Sequence, residues 1–217
     1  MAGQRLPPRH CRPGRQDRTA GSGAGSNGGN PDRRPQPDLS SPGGRLMYHL
    51  DTPVLTTERL ILRAPQGGDW PAFATSARAE YIGGPLTRER AWRAFGHAVG
   101  HWLLRGYGLF ILTPSGTDQA IGMAGPWFPA GWPEREIGWS MFGVETEGKG
   151  LAAEAARAVR RHVYTTLNWP TAVSYIAVAN ARSIALATRL GAALDRTATA
   201  PDRDGTRVFR HPRLGAC

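Results

Sequence analysis

The residues best suited to bind a ligand lie in a short turn, where Gly148 and Gly150 flank Lys149, the only lysine of the chain. An alanine-rich run with good helix propensity begins at Leu151. Glycine lets the backbone approach a ligand closely, and the first turn of a helix presents unpaired N–H groups and the positive end of its dipole. We therefore predict an anion site, most often one for phosphate. An ordinary strand-to-helix turn also fits these residues.

Apolar periodicity indicates which elements hold this turn in place. Glu136–Met141 predicts a strand that leads into the turn, and Leu151, Ala155, Val159 and Val163 predict one face of the helix that follows it. Similar patterns indicate a mixed α/β domain. Further strands are expected at 59–63, 107–112, 120–124, 173–178, 193–196 and 207–211. Further helices are expected to begin after Asp69, Thr87 and Asn180.

The helix expected after Thr87 carries an apolar stripe at helical spacing. We expect this stripe to pack in the core and the helix to end at Gly106. The stripe consists of Trp92, Phe95, Val99, Trp102 and Leu103.

Composition limits the possible partners. Apolar residues make up 40% of the chain, and no apolar run approaches the roughly 18 residues of a membrane span. The two cysteines, Cys11 and Cys217, lie near opposite ends, so neither a disulfide nor a metal cluster is expected. We therefore predict a cytoplasmic protein with no membrane partner and no metal.

The net charge of +10 raises nucleic acid as a partner, but residues 1–46 supply half of it, with eight Arg against three Asp. Abundant Arg, Ala and Gly with a single lysine looks like genome-wide codon bias, so no nucleic-acid partner is expected. Residues 1–46 are rich in Arg, Gly and Pro and predict a disordered, low-complexity extension. The globular domain is expected at 47–217. A basic nucleic-acid-binding arm, or a biological chain that begins at Met47, are the alternatives for the extension.

Four stretches together resemble the GNAT-type N-acetyltransferases, and most closely the branch that acetylates the N-termini of ribosomal proteins. They are T-E-R-L-I-L-R at 57–63, E-I-G-W at 136–139, E-G-K-G-L-A-A-E-A at 147–155 and N-A-R-S-I-A-L-A-T-R-L-G-A at 180–192. The resemblance covers residues 57–208. It implies the GNAT fold, a mixed, mostly antiparallel sheet of six to seven strands with helices on both faces. The fourth and fifth strands should splay apart to admit acetyl-coenzyme A.

The resemblance also implies which residues hold the coenzyme. Backbone N–H groups of the glycine turn would bind its pyrophosphate, edge groups of the preceding strand would pair with its pantetheine arm, and Asn180 would lie near its thiol. Glu147 departs from the family pattern, which has Arg or Gln there. We expect its side chain to turn to solvent and coenzyme binding to be weaker. The full set is Ser140, Met141, Phe142, Glu147, Gly148, Lys149, Gly150, Leu151, Ala152 and Asn180.

Acetyl transfer to an amine needs a proton acceptor, donors for the oxyanion and a proton for the leaving thiolate. Glu136 is the predicted base, with an edge salt bridge to Arg135 or a neighbour as the structural alternative. Many relatives use a tyrosine as the acid, but Ala187 stands at the matching position here. Ser183 is the predicted substitute, and Tyr175 is an outside candidate. The oxyanion donor would be a backbone N–H of a bulged strand near Met141.

Residues 126–133 form an aromatic, proline-rich loop that either folds onto the core edge or forms a wall of an acceptor pocket. The expected acceptor is the primary amine of a small molecule or a peptide, and the protein is expected to be a monomer or a homodimer. The predicted function is direct acetyl transfer from acetyl-coenzyme A to that amine, without a covalent enzyme intermediate. The alternative is a non-catalytic module that binds coenzyme A.

Overall fold

The computed structural model describes residues 51–76, 85–202, 205–213 and 215 of the 217-residue chain. The extension predicted at 1–46 and both cysteines lie outside these residues. The boundary near residue 47 therefore stays a prediction. Within the described ranges, no helix combines the length and the apolar character needed to cross a bilayer.

A single sheet of eight strands runs through the described residues. The strands are β1 (Leu55–Thr56), β2 (Leu60–Arg63), β3 (Phe110–Pro114), β4 (Gly122–Trp127), β5 (Glu136–Met141), β6 (Val173–Ala177), β7 (Ala193–Asp195) and β8 (Thr206–Arg210). Their order across the sheet is β1-β2-β3-β4-β5-β6-β8-β7, and only the β5–β6 pair is parallel. The predicted fold is confirmed, with one strand more than expected, because β1 has only two residues and leaves no periodic signal.

The α-helices in the described residues are α1 (Trp70–Thr75), α2 (Arg88–Arg105), α3 (Leu151–Thr165) and α4 (Ala181–Arg189). The predicted ends of α2 are confirmed. Thr87 accepts a hydrogen bond from the N–H of Arg90, and Gly106 adopts a left-handed conformation with a φ of 73°.

Helix α1 begins after Asp69, as predicted, and Asp69 is its N-cap residue. The Asp69 carboxylate accepts hydrogen bonds from Arg63 and from the N–H of Gln66, and none from the amides of α1. One expectation for α2 is wrong. In the α2 stripe, Trp92 is 58% exposed and Leu103 is 52% exposed, so neither belongs to the core. Helical spacing shows that residues share a face of a helix, but not how far the sheet extends beneath that face.

The two faces of the sheet bury separate clusters. Val159 and Val163 of α3 pack against Phe110 and Leu112 on one face. Ile111, which points to the opposite face, joins a second cluster with residues of α1 and α2. The sheet is therefore covered on both sides, and α4 packs against α3 on the first face.

Strands β5 and β6 part soon after they begin. Glu136 and Val173 are their only residue pair in register, and the N–H of Val173 donates to the carbonyl of Arg135. These are the fourth and fifth strands of the sequence prediction, so the expected splay is confirmed.

Candidate active site

A cleft of about 1700 Å³ opens where β5 and β6 separate. It extends from the glycine turn before α3 to the aromatic segment 126–133 near α2. Glu136 and Ser183, the two predicted catalytic residues, both line it. Eight of the ten predicted coenzyme contacts also line it, whereas Phe142 and Lys149 do not.

The glycine turn leaves the start of α3 open at one end of the cleft. Gly148 and Gly150 have φ angles of 67° and 76°, a left-handed conformation that favours glycine. Gly150 is the N-cap of α3 and supplies no side-chain hydrogen bond to the helix. The first-turn N–H groups of α3 therefore remain available to an anion, which fits the diphosphate of a coenzyme.

An ion pair from Arg59, which immediately precedes β2, fixes the backbone of this turn. The Arg59 guanidinium donates to the carbonyl of Lys149 at 2.9 Å and to the Glu154 carboxylate at 2.7 Å. Thr57 donates to the same carboxylate at 2.6 Å. Burial alone would raise the pKa of Glu154, but the hydrogen bonds from Thr57 and Arg59 lower it. Two stretches that carry the family resemblance, T-E-R and the glycine turn, are thus in direct contact.

Lys149 takes part through its backbone. Its carbonyl receives the Arg59 hydrogen bond, and the residue is exposed outside the lining of the cleft.

Glu147 does not turn to solvent, and this expectation is wrong. Its carboxylate forms an ion pair with Arg182 in the first turn of α4, at 2.5 Å. The pair connects the glycine turn to α4, and both residues line the cleft. The acid beside the predicted anion site is thereby neutralised by a cation 35 residues further along the chain.

Fewer residues of β5 than predicted direct their backbone groups into the gap between β5 and β6. The carbonyls of Arg135 and Ile137 accept hydrogen bonds from β6 residues, so odd-numbered residues of β5 direct their backbone groups toward β6. The N–H of Phe142 donates to Ile121 on the other side, so this N–H cannot serve a pantetheine arm. By the same alternation the backbone groups of Ser140 point toward β4. Of the three predicted strand residues, only Met141 therefore presents its backbone groups to the gap between β5 and β6.

The bulge expected near Met141 is absent. The register of β5 against β4 is regular from Glu136 to Met141. The N–H of Met141 still points toward the gap between β5 and β6 by alternation. The separation of β5 from β6 is therefore sufficient to leave this N–H available as an oxyanion donor, and no bulge is needed.

Asn180 and Ser183 occupy the start of α4 at the opposite wall of the cleft. The Asn180 side chain accepts a hydrogen bond from the N–H of Ser183 at 3.0 Å, so it caps the helix. The Ser183 hydroxyl accepts the indole N–H of Trp139 at 3.2 Å and keeps its own proton free to donate. Ala187, at the position of the relatives' tyrosine, is fully buried in the core.

Glu136 lies at the point where β5 and β6 begin to part. Its carboxylate accepts the indole N–H of Trp132 at 2.7 Å. Burial raises the pKa of Glu136 to about 7, although the hydrogen bond from Trp132 opposes this shift. A carboxyl group with a pKa near neutrality can exchange a proton at physiological pH, as a general base must. Within the described residues, no salt bridge to Glu136 is present.

The aromatic segment 126–133 forms the wall beside Glu136. Trp127, Pro129 and Trp132 line the cleft together with Tyr175 of β6. The Tyr175 hydroxyl accepts the N–H of Glu134 at 3.0 Å, and its ring meets Trp132 edge-on. This polar contact assigns Tyr175 a structural role in positioning the segment.

His101 of α2 fixes the other tryptophan. The His101 ring stacks on Trp127 with centroids 4.4 Å apart. Its Nδ1 lies 2.7 Å from the carbonyl of Tyr107, and its Nε2 accepts the N–H of Phe128 at 3.1 Å. These partners require the neutral ring with the proton on Nδ1, and burial lowers the pKa of His101 accordingly.

Sequence reasoning missed Ser174, which joins the two strands at the splay. Its buried hydroxyl donates to the carbonyl of Ile137 at 2.6 Å, in place of the backbone N–H that would continue the ladder. The Nε2 of His211 lies 2.9 Å from the same oxygen and donates to it. Burial lowers the pKa of His211 to about 4. A serine within an apolar strand was the only available signal.

Comparison with known proteins decides the family. Residues 59–193 match the family model of the acetyltransferase (GNAT) domain. The chain belongs to the GNAT acetyltransferase family. A solved acetyltransferase from Agrobacterium tumefaciens str. C58 is 36% identical, with a TM-score of 0.70, and the alignment covers 78% of this chain and all of that one. The GNAT identification agrees with a cleft built from the glycine turn and two parted strands.

Other GNAT structures show the same fold at lower identity. A protein described as a GnaT-family acetyltransferase from Bordetella pertussis is 26% identical, with a TM-score of 0.63, over 74% of this chain and 99% of that one. RimL, a ribosomal L7/L12 α-N-protein acetyltransferase solved with coenzyme A, is 17% identical, with a TM-score of 0.59, over 74% of this chain and 98% of that one. At that identity the likeness to RimL concerns the fold alone.

Proposed function

We propose that this GNAT protein transfers the acetyl group of acetyl-coenzyme A to a primary amine by direct attack. The observation that carries the proposal is Glu136, a carboxyl group with a pKa of about 7 in the cleft between the parted strands. Acetyl-coenzyme A supplies an acetyl group activated as a thioester. The chain's own residues then have three tasks, which are to hold the coenzyme, to accept the amine's proton and to stabilise developing charge.

The coenzyme would be held mainly by backbone groups. The free N–H groups at the start of α3 would bind the diphosphate, since Gly148 and Gly150 hold that turn open. Met141 would offer its N–H and carbonyl to the pantetheine arm at the β5 edge. The Glu147–Arg182 pair lies at the same end and would have to coexist with the diphosphate or open for it.

Proton transfer would involve two side chains on opposite faces of β5. Glu136 and Trp139 alternate along the strand, and Ser183 is bonded to Trp139, so Ser183 lies on the face opposite the Glu136 carboxylate. Glu136 would accept the amine's proton, directly or through a water molecule. Ser183 would donate its hydroxyl hydrogen bond toward the departing thiolate.

A thiol-release assay with acetyl-coenzyme A and a panel of amines tests the proposal. Release of coenzyme A that depends on an amine and is lost in Glu136→Gln would support it. Tight coenzyme binding without turnover on any amine would contradict it and favour the non-catalytic module. Ala187 is the one observation in favour of that module, because it removes the tyrosine that many relatives use. The cytoplasmic location and the monomeric or dimeric state are proposed along with the activity.

A further inference from the structure

The acceptor end of the cleft is apolar and aromatic, in contrast to its coenzyme end. Its lining comes from α1, α2, the residue before β3, strand β4 and the aromatic segment 126–133. The apolar side chains that matter here are Phe73, Leu109, Met123, Trp127 and Trp132. All four arginines among the lining residues lie elsewhere, on the T-E-R stretch, α3 and α4. Among the described lining residues, the acceptor end thus presents no arginine.

Small residues leave room in this end of the cleft. Ala94 and Ala98 lie one turn apart on α2 and both line the cleft. Gly138 faces the same side as Glu136, two residues along β5. A Cβ built at Gly138 would lie 3.7 Å from the Glu136 carboxylate and 3.7 Å from Leu109, so the space beside the carboxylate can hold a ligand atom.

The aromatic walls are fixed without a ligand. Trp127 is stacked on His101, whose two ring nitrogens both bind backbone groups. Trp132 is held by its hydrogen bond to Glu136 and by edge contact with Tyr175. Such preformed faces favour flat rings and cations, and they lose little entropy on binding.

Two of the polar groups at this end are already engaged. The Trp132 N–H and the Tyr175 hydroxyl have partners inside the protein. His97 of α2 also lines the cleft, and its ring lies 4.8 Å from that of Trp127. A peptide would bring amide groups that find few partners here, and a buried polar group without a hydrogen-bond partner is unfavourable. An α-carboxylate on the acceptor would meet Glu136 rather than a guanidinium.

We propose that the acceptor is a primary amine joined by a short chain to a flat aromatic ring, with no carboxylate next to the nitrogen. The ring would lie between the tryptophan faces and the ammonium group beside Glu136. This inference rests on the proposed acetyl transfer. In that reaction the bound ammonium group first gives one proton to Glu136, which passes it to solvent. The neutral nitrogen then forms the C–N bond as the thioester C–S bond breaks, and the second proton of the nitrogen passes through water to the leaving thiolate.

The test compares four amines with the full-length protein and acetyl-coenzyme A. They are 2-phenylethylamine, L-phenylalanine, spermidine and a short peptide with a free N-terminal serine. L-phenylalanine is the matched control, since it differs from 2-phenylethylamine by one carboxylate. We expect kcat/KM for 2-phenylethylamine to exceed each of the others at least tenfold. Equal or better turnover of any of the other three would overturn the inference.

Two variants locate the site. Ala94→Phe should lower kcat/KM for 2-phenylethylamine at least tenfold without changing KM for acetyl-coenzyme A, whereas Gly96→Phe on the exposed face of α2 should change neither. Gly138→Ala is the milder variant, because its added methyl group makes only ordinary contacts. An unchanged acceptor KM in both Ala94→Phe and Gly138→Ala would contradict the placement.

Calorimetry separates this inference from the reaction itself. If no amine is acetylated, the proposed function fails, but 2-phenylethylamine should still bind to the coenzyme-A-loaded protein and lose that binding in Ala94→Phe. Absence of binding to the parent protein would overturn the substrate class on its own.

Discussion

The proposed coenzyme end and the proposed acceptor end of the cleft are built by different means. At the coenzyme end, backbone groups are exposed by glycine conformations, and they come from one continuous stretch between β5 and α3. At the acceptor end, side chains from α1, α2, β4 and the segment 126–133 meet around Glu136. The first end can be recognised from a short motif, whereas the second exists only after long-range folding. Variants at each end test whether the two ends are as separable as this contrast implies.

The largest effect is expected at the acceptor end, from Glu136→Gln. Loss of the base should lower kcat roughly a hundredfold or more. In the parent protein, kcat/KM for the amine should rise with pH through about 7, because Glu136 must lose its proton to accept one from the amine. The variant should not show this rise. Glu89→Gln, an exposed carboxylate on α2, is the matched control. A loss of only a few-fold in Glu136→Gln would assign Glu136 a structural role.

The thermal stability of Glu136→Gln distinguishes a chemical role of Glu136 from a role in folding. Burial raises its pKa, so the folded protein favours the protonated carboxyl, and the charged form is destabilising above about pH 7. Glu136→Gln should therefore be at least as stable as the parent at pH 8. A thermal melt that showed a large loss of stability there would mean that the activity loss reflects damage to the fold.

The stability of the region where β5 and β6 part should be sensitive to acid, because His211 is hydrogen-bonded there to Ser174. The pKa of His211 is lowered to about 4 in the folded protein, so the unfolded chain binds more protons between about pH 6.5 and 4. The stabilisation is complete above about pH 6.5 and is lost as the pH falls toward 4, on the order of 3 kcal/mol in all. The free energy of unfolding, measured with denaturant across this pH range, should depend less steeply on pH in His211→Asn than in the parent protein. An identical dependence on pH in the two proteins would show that His211 does not contribute to the acid response.

At the coenzyme end, Gly150→Val should raise KM for acetyl-coenzyme A about tenfold with a smaller change in kcat. A β-branched residue at a φ of 76° strains the turn by roughly 1–2 kcal/mol and displaces the N–H groups of α3. Gly116→Val provides the matched control, since Gly116 has a φ of 85° in the β3–β4 turn and open space around its Cβ. Both variants share the strain, so equal KM values for the two would rule out a specific role for the Gly150 turn.

The smallest effect is expected from Glu147→Gln. The substitution releases Arg182 from its ion pair, which adds positive charge at the diphosphate end of the cleft. The dissociation constant of coenzyme A, measured by calorimetry, should fall by a few-fold, and the gain should shrink at high salt. Weaker binding in Glu147→Gln would instead show that the ion pair supports the bound conformation.

The sequence alone predicted the parts of the molecule that local patterns determine. Strand β5 was predicted with its observed bounds, and Gly150 was placed at the start of α3, because alternation and glycine positions are local signals. The Glu147–Arg182 pair was missed because its partners lie 35 residues apart. The exposure of Trp92 was missed because periodicity does not tell where the sheet beneath a helix ends.

The same limit applies to the site. Glu136 was named from the family resemblance, but its pKa depends on burial and on Trp132, which only the fold brings to the carboxylate. Ser174 gave only the weak signal of a serine within an apolar strand, because its role depends on the carbonyl of Ile137 in another strand. Residues that act through long-range hydrogen bonds have no signature in a single sequence.

A crystal structure with coenzyme A bound is the most direct test of the central claim, which is that the opening between β5 and β6 holds the acyl carrier. We expect the diphosphate on the N–H groups of residues 148–152 and the thiol in the gap between Met141 and Ser183, on the way to Glu136. A coenzyme bound elsewhere, with the gap between β5 and β6 empty, would contradict the assignment of the active site.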